Sequence, residues 1–259
     1  MKKILITGTD GYIGKALCSS LIGYDVTCIN REVCDLVDGD KVRTFFEGKY
    51  FDVVIHCAAV GGSRLTKDNR SIFKSNISMF DNILYNQSHY GRLIHFGSGA
   101  QFKKPLDYYG LSKKLIADMI DENTNFYNII VYGLFDENEL DTRFIKSNVK
   151  KCMNGESMVI HKDKYMDFFH MKDLITKVIS YIESNSEALA KTYECKYKET
   201  YRLTHIVEMI ALILGKTAKV EVLEDGLDNP YMSNEDTEKY TSEGLDFEDR
   251  LKETIERIK

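Results

Sequence analysis

ITGTDGYIGKAL, residues 6–17, sets Gly8, Gly11 and Gly14 in a G-x-x-G-x-x-G spacing between the apolar run KILIT (3–7) and an amphipathic segment. A glycine at the first position permits a tight turn out of a strand. One at the second lets backbone approach a pyrophosphate, and one at the third lets the following helix pack closely on the sheet. A helix opening in such a turn presents its N-terminal N–H groups and positive dipole end to an anion. The stretch reads as a strand–turn–helix phosphate loop, with Asp10, Tyr12 and Ile13 lining it between the glycines.

Further along, short apolar runs recur: DVTCI (25–29), DVVIH (52–56), RLIHF (92–96) and NIIVY (128–132). Each is bounded by polar or turn residues, and between them lie the helical patterns 12–23, 40–48, 69–89 and 108–122. Runs apolar on both faces and separated by amphipathic helices predict a buried parallel sheet. The expected class is α/β, a doubly wound sheet that binds ligands at the carboxyl ends of its strands. After about residue 134 the rhythm weakens. Helices are expected at 141–154, 172–183, 204–214 and 246–258, and the acidic stretch 224–244 reads as surface loop or lid.

Composition excludes several classes. A formal net charge of -5 gives no electrostatic footprint for nucleic acid. No window approaches a membrane span, and the N-terminal ILI is too short for a signal peptide, so a cytoplasmic protein is expected. The six cysteines, scattered with no C-x-x-C, read as reduced thiols, with neither a disulfide scaffold nor a metal site.

The second strand leads to the point where a dinucleotide's ribose is read. There Asn30 and Arg31 stand, with Glu32 one step beyond, and a cation suits a 2′-phosphate, so NADP(H) is favoured over NAD(H). Asp35 and Leu36 are placed to meet the adenine edge.

The fourth strand ends in HFGSGAQF (95–102), putting Ser98 at its carboxyl end, and DYYGLSKKL (107–115) opens the next helix. Residues four apart on a helix share a face, so Tyr109 and Lys113 point together. A free tyrosine, with pKa about 10, is a poor acid–base group near neutrality, and a neighbouring ammonium favours its phenolate. Ser98 is placed to polarise a carbonyl as hydride arrives. His56, His95 and His170, lone histidines among apolar neighbours, are read as structural.

TGTDGYIG, HCAA (56–59), the strand-end serine and YGLSK together resemble the extended short-chain dehydrogenase/reductases, within the NAD-dependent epimerase/dehydratase family of sugar-nucleotide enzymes. VGG (60–62) and DLVDGDKVRTFF (35–46) are similar to the GDP-L-fucose synthase group, and DFFHMKDL (167–174) to the family's second-domain motif. The resemblance implies a Rossmann-type domain over 1–133. It also implies a smaller C-terminal substrate-binding lobe over 134–259, with about 155–190 returning to the first domain. Ser98, Tyr109 and Lys113 become the catalytic trio, Lys113 also holds the nicotinamide ribose, and Ala58, Ala59 and Val60 line the cofactor. A homodimer through the faces of 69–89 and 108–122 is common in the family.

Departures narrow the chemistry. Double epimerisation needs a Cys two residues after the serine and a His after the fifth strand, but Ala100 and Phe135 stand there. Dehydration needs an Asp-Glu pair where Gly99 and Ala100 stand, and the family's diphosphate-binding Arg is replaced by Met166. Ser63, Arg64 and Arg143 are the candidate substrate contacts. The expected activity is reduction of a nucleotide-linked 4-keto sugar. A C4 epimerase and a non-catalytic dinucleotide-binding regulatory subunit are the alternatives.

Overall fold

Runs that bury both faces pair into one central sheet. The computed structural model describes residues 1–63, 66–103, 105–184, 189–233 and 245–259. In chain order the elements are β1 (Lys3–Thr7), α1 (Tyr12–Ser20), β2 (Asp25–Ile29), α2 (Gly39–Phe46), β3 (Phe51–His56), α3 (Arg70–Tyr85), β4 (Tyr90–Ser98), α4 (Tyr108–Asp121), β5 (Phe126–Val131) and β6 (Gly133–Phe135). They continue with α5 (Phe144–Met153), β7 (Met158–Asp163), β8 (Tyr165–Met166), β9 (Phe168–His170), α6 (Met171–Glu183), β10 (Thr192–Glu194), β11 (Tyr201–Arg202), α7 (Leu203–Ile213), β12 (Val220–Leu227) and α8 (Phe247–Ile258). Two compact units result: Met1–Ile130 with Ile175–Tyr193, and Val131–Leu174 with Glu194–Lys259.

In the first unit the strand order is β2-β1-β3-β4-β5-β10. β1 pairs in parallel with both β2 and β3, and β3 with β4. The order reverses between β1 and β3, which in a doubly wound sheet is where a crevice opens beyond the carboxyl ends. Ile4, Leu5, Ile6, Val54 and Ile55 are fully buried, as a strand covered on both faces requires. Phe46, Met79, Phe80, Ile83, Ile116 and Ile120 close one side of the sheet. α3 starts where Asn69 accepts from the Ser71 and Ile72 amides, and α4 where Asp107 accepts from the Gly110 amide at 2.6 Å. Along α4 the buried stripe is Gly110, Lys113, Ile116 and Ile120, so a lysine occupies a position that helical periodicity reserves for the core.

Two expectations fail. Residues 220–227, within or beside the stretch read as loop, form β12, which pairs in parallel with β7. Every residue of β12 is exposed, so backbone pairing makes the strand and no burial alternation marks it. Residues 234–244 of that stretch lie outside the described residues. The cysteines also differ from the reading, because Cys18 of α1 and Cys28 of β2 are joined as a disulfide with Cα atoms 6.5 Å apart. They are only ten residues apart, and the turn at Gly23 folds α1 back alongside β2. Cys34, Cys57, Cys152 and Cys195 are free.

The second unit is held by a buried charge cluster. Asp173, at the start of α6, receives Nε and Nη2 of Arg250 from α8 at 2.9 and 2.5 Å, together with the Tyr197 hydroxyl. Arg250 also reaches Glu253 at 2.8 Å. Breaking such a pair strands a buried carboxylate, at a cost of about 3–5 kcal/mol. Arg250→Leu should therefore lower the thermal midpoint markedly, whereas Arg250→Leu combined with Asp173→Asn should recover much of it. Differential scanning calorimetry of both variants checks this.

Candidate active site

At the switch point, backbone meets backbone. Gly8 has φ +67°, and a Cβ there would lie 2.6 Å from the backbone of Ala58, at the end of β3. A Cβ on Gly14 would lie 2.4 Å from the Gly8 carbonyl, and the Gly11 amide donates to that same carbonyl at 3.0 Å. Among the described residues no side chain caps α1 at Gly11. The glycine cradle at the amino end of α1 fits a pyrophosphate. Tyr12 and Ile13 form the first turn of α1, half-buried. Asp10 accepts from Asn30 Nδ2 at 3.3 Å, joining the turn to the end of β2. Arg31 is 83% exposed in its side chain and touches Asp35 at 3.3 Å. Leu36 is buried in the core, so its side chain belongs to the packing under the loop.

The loop after β3 is fastened by a residue that carried no signal in the sequence. Asn76 of α3, 1% exposed, accepts from the Val60 amide at 2.9 Å and donates to the Val60 carbonyl at 3.0 Å. Its amide nitrogen also meets Ser112 Oγ at 3.0 Å, and Ser112 donates to the Tyr109 carbonyl at 2.7 Å. One buried amide thus ties the Ala58–Ala59–Val60 segment to the first turn of α4. Gly62 lies against the Tyr109 ring, where a Cβ would come within 2.8 Å of it, and exposed Ser63 follows. Arg64 lies outside the described residues.

Ser98 ends β4 and caps a 3-10 turn over Gly99–Phe102, accepting from the Ala100 amide at 3.2 Å while Gln101 reaches back to the Ser98 amide. That turn packs directly on α4, since a Cβ on Gly110 would lie 2.5 Å from the Ala100 carbonyl. The short link from Ser98 to Tyr109 therefore brings the strand end and the helix start together. The Lys113 ammonium lies 5.7 Å from the Tyr109 ring centre, donates to the Phe96 carbonyl at 2.6 Å and meets His95 Nε2 at 3.3 Å. Arg143 precedes α5 in the second unit, with Glu139 3.8 Å away. No cluster of metal-ligating side chains occurs among the described residues, and no described helix is long and apolar enough to cross a membrane.

The pattern of the NAD dependent epimerase/dehydratase family matches residues 4–195. The chain belongs to this family. It is similar to the spore coat polysaccharide biosynthesis protein SpsK of Bacillus subtilis, with 26% identity over 69% of each chain. Its fold is that of a GDP-mannoheptose C4 reductase from Campylobacter jejuni with NADP bound, at TM-score 0.79 and 18% identity, over 98% of this chain and 97% of that one. It is equally that of a UDP-glucuronic acid 4-epimerase from Bacillus cereus in complex with UDP-glucuronic acid and NAD, at TM-score 0.76 and 19% identity, over 99% and 98%. Membership makes the chain a nicotinamide-dinucleotide-dependent enzyme of the short-chain dehydrogenase/reductase type.

Within this family member the electrostatics centre on Lys113. Burial brings its ammonium down from 10.5 to about 8. His56 falls to about 3 and His95 well below its usual value, through burial and then through the Lys113 charge, so both imidazoles are neutral. Among the described residues the imidazoles beside the Lys113 ammonium are therefore neutral. Since the lysine pKa is depressed by folding, the folded state resists the charge fully below about pH 8, and the penalty fades as pH rises toward the unfolded value. Lys113→Met should accordingly stabilise the protein at pH 7 by about 1–3 kcal/mol. The gain should shrink above pH 8 and vanish near pH 10.5. Urea unfolding at pH 7 and at pH 10 checks the sign.

Proposed function

We propose that this chain is an NADPH-dependent reductase of a nucleotide-linked 4-keto sugar. The observation that carries the reading is the seating of the Ser98 turn on the first turn of α4 through Gly110 and Ala100, with Lys113 one helical turn beyond Tyr109. In this reading Ser98 donates to the substrate carbonyl and polarises it, Tyr109 gives its proton to the new oxygen, and Lys113 favours the phenolate left behind. A bound nicotinamide dinucleotide supplies the hydride. Gly8, Gly11 and Gly14 would cradle its pyrophosphate, Ala58–Val60 would line the site, and Arg31 would meet a 2′-phosphate. The second unit would supply the sugar-nucleotide pocket, with Arg143 as a candidate diphosphate contact.

Reduction is favoured over richer chemistry by what stands at two positions. Ala100, buried against α4, and Phe135, fully buried among Phe168, His170 and Phe247, carry no acid–base group, so neither can exchange a C–H proton. The GDP-mannoheptose C4 reductase with NADP bound supports the same reading by analogy of fold. A C4 epimerase, the activity named for the Bacillus cereus neighbour, differs in needing no added reductant.

Purified protein with NADPH and a panel of GDP-, dTDP-, UDP- and CDP-linked 4-keto-6-deoxyhexoses tests this, followed by loss of reduced-nicotinamide absorbance. One substrate should be reduced, and Tyr109→Phe should lower the rate by about 10²–10⁴-fold. Full turnover by Tyr109→Phe would sink the assignment, and interconversion of sugars without net oxidation would favour the epimerase. Arg31→Ala should weaken NADPH about tenfold, some 1.4 kcal/mol, and leave NADH nearly unchanged. Fluorescence titration of both cofactors measures this.

A further inference from the structure

Lys113 is only 4% exposed, yet among the described residues no carboxylate bears on its charge. Its partners are a backbone carbonyl and a histidine. An ammonium can only donate, so His95 Nε2 accepts from it at 3.3 Å, and the ring proton of neutral His95 sits on Nδ1. That imidazole is fixed from both sides. It stacks on His56 at 5.5 Å and meets the edge of Phe80 at 5.6 Å. His56 is held in turn by Thr7 Oγ1 at 2.9 Å, and Thr7 Oγ1 also accepts from the Ala58 amide at 3.3 Å. Thr7, His56 and His95 are register partners across β1, β3 and β4, and each is at most 1% exposed. A buried polar row thus runs from the loop beside the glycine turn to the lysine.

We propose that His95 is a positioning residue for Lys113: a clamped, neutral acceptor that holds the ammonium in place without cancelling its charge. This rests on the reading of Tyr109 and Lys113 given above. The choice of side chain matters. A carboxylate at this position would satisfy the ammonium but neutralise its field at Tyr109. An apolar residue would leave a buried N–H unpartnered and drive the lysine toward its uncharged form. Imidazole kept neutral by burial leaves the ammonium its charge and an acceptor, while its own buried Nδ1 has no hydrogen-bond partner among the described residues.

The titratable groups facing Lys113 are Cys57 beyond β3, His95 on β4 with His56 behind it, and Tyr109 on its own helix. Cys57, its thiol pushed up by burial, is neutral at working pH, so among the described residues the Phe96 carbonyl is the acceptor that remains when His95 is lost. A hydrogen bond to the charged form favours that form, so removing the acceptor must lower the lysine's pKa.

The test is an NMR titration of ¹³C,¹⁵N-lysine-labelled protein, with the Lys113 signal assigned by its loss in Lys113→Met. His95→Leu should move the Lys113 midpoint down by about one to two pH units. His95→Gln, which keeps an acceptor, should restore most of that shift, and near-UV circular dichroism verifies that both variants are folded. For the 4-keto sugar that the wild type reduces, the alkaline limb of turnover should move down with the midpoint, while the low-pH plateau stays within about threefold. An unmoved midpoint in His95→Leu would overturn the proposal. So would a uniform loss of turnover at every pH, which marks a purely structural histidine. Tyr109→Phe separates the two levels, because it tests the catalytic reading and leaves the Lys113 midpoint to report on His95.

Discussion

Three backbone contacts that leave no room for a side chain organise the first unit. Gly8 lies on Ala58, Gly14 on Gly8, and Gly110 on Ala100. The first two join the turn after β1 to the end of β3 and seat α1 above it, leaving the amino end of that helix without a side-chain cap among the described residues. The third presses the turn after β4 onto the first turn of α4. Close packing transmits such constraints directly, since a protein interior has little free volume to absorb a shift. Ala59 and Tyr109 stand one residue from these contacts, Ser98 and Val60 two, and Lys113 one helical turn away.

The two units treat buried charge in opposite ways. In the second, Asp173 is matched by Arg250, Arg250 by Glu253, and Glu253 by Lys172 and Arg257. Such a network satisfies its members and serves to join α6 to α8. In the first unit Lys113 sits on the core stripe of α4 with, among the described residues, only neutral acceptors. A charge kept under those conditions destabilises the fold, and that cost is common where a group is held for chemistry. The contrast supports the proposed role of Lys113 without reference to motifs.

Residues that depart from the family pattern limit the reaction more tightly than residues that keep it. The glycines, the serine, the tyrosine and the lysine are compatible with reduction, epimerisation and dehydration alike. In the proposed reading Ala100 and Phe135 subtract options, Phe135 lying in an aromatic cluster with Phe168 and Phe247. The reductase and the epimerase that share this fold at under 20% identity show how little the architecture constrains the outcome.

The sequence by itself determined the α/β alternation, the phosphate turn and the Tyr109–Lys113 face, because each is a local property. Periodicity, glycine spacing and an i,i+4 separation need no knowledge of distant residues. It also placed Ser98 at a strand end. Only the tertiary structure decided what lies across from these residues. β12 is exposed along its whole length and becomes a strand solely by pairing with β7, sixty residues away in the chain, so no pattern announces it. Asn76 looks like any polar helix residue until Val60 and Ser112 are brought to it. His95 reads as a lone core histidine, and its meaning depends on Lys113 arriving from α4 and His56 from β3. Hydrogen bonds between residues far apart in sequence leave no periodic trace, which is why the Tyr109–Lys113 pair could be read from one helix and its support could not.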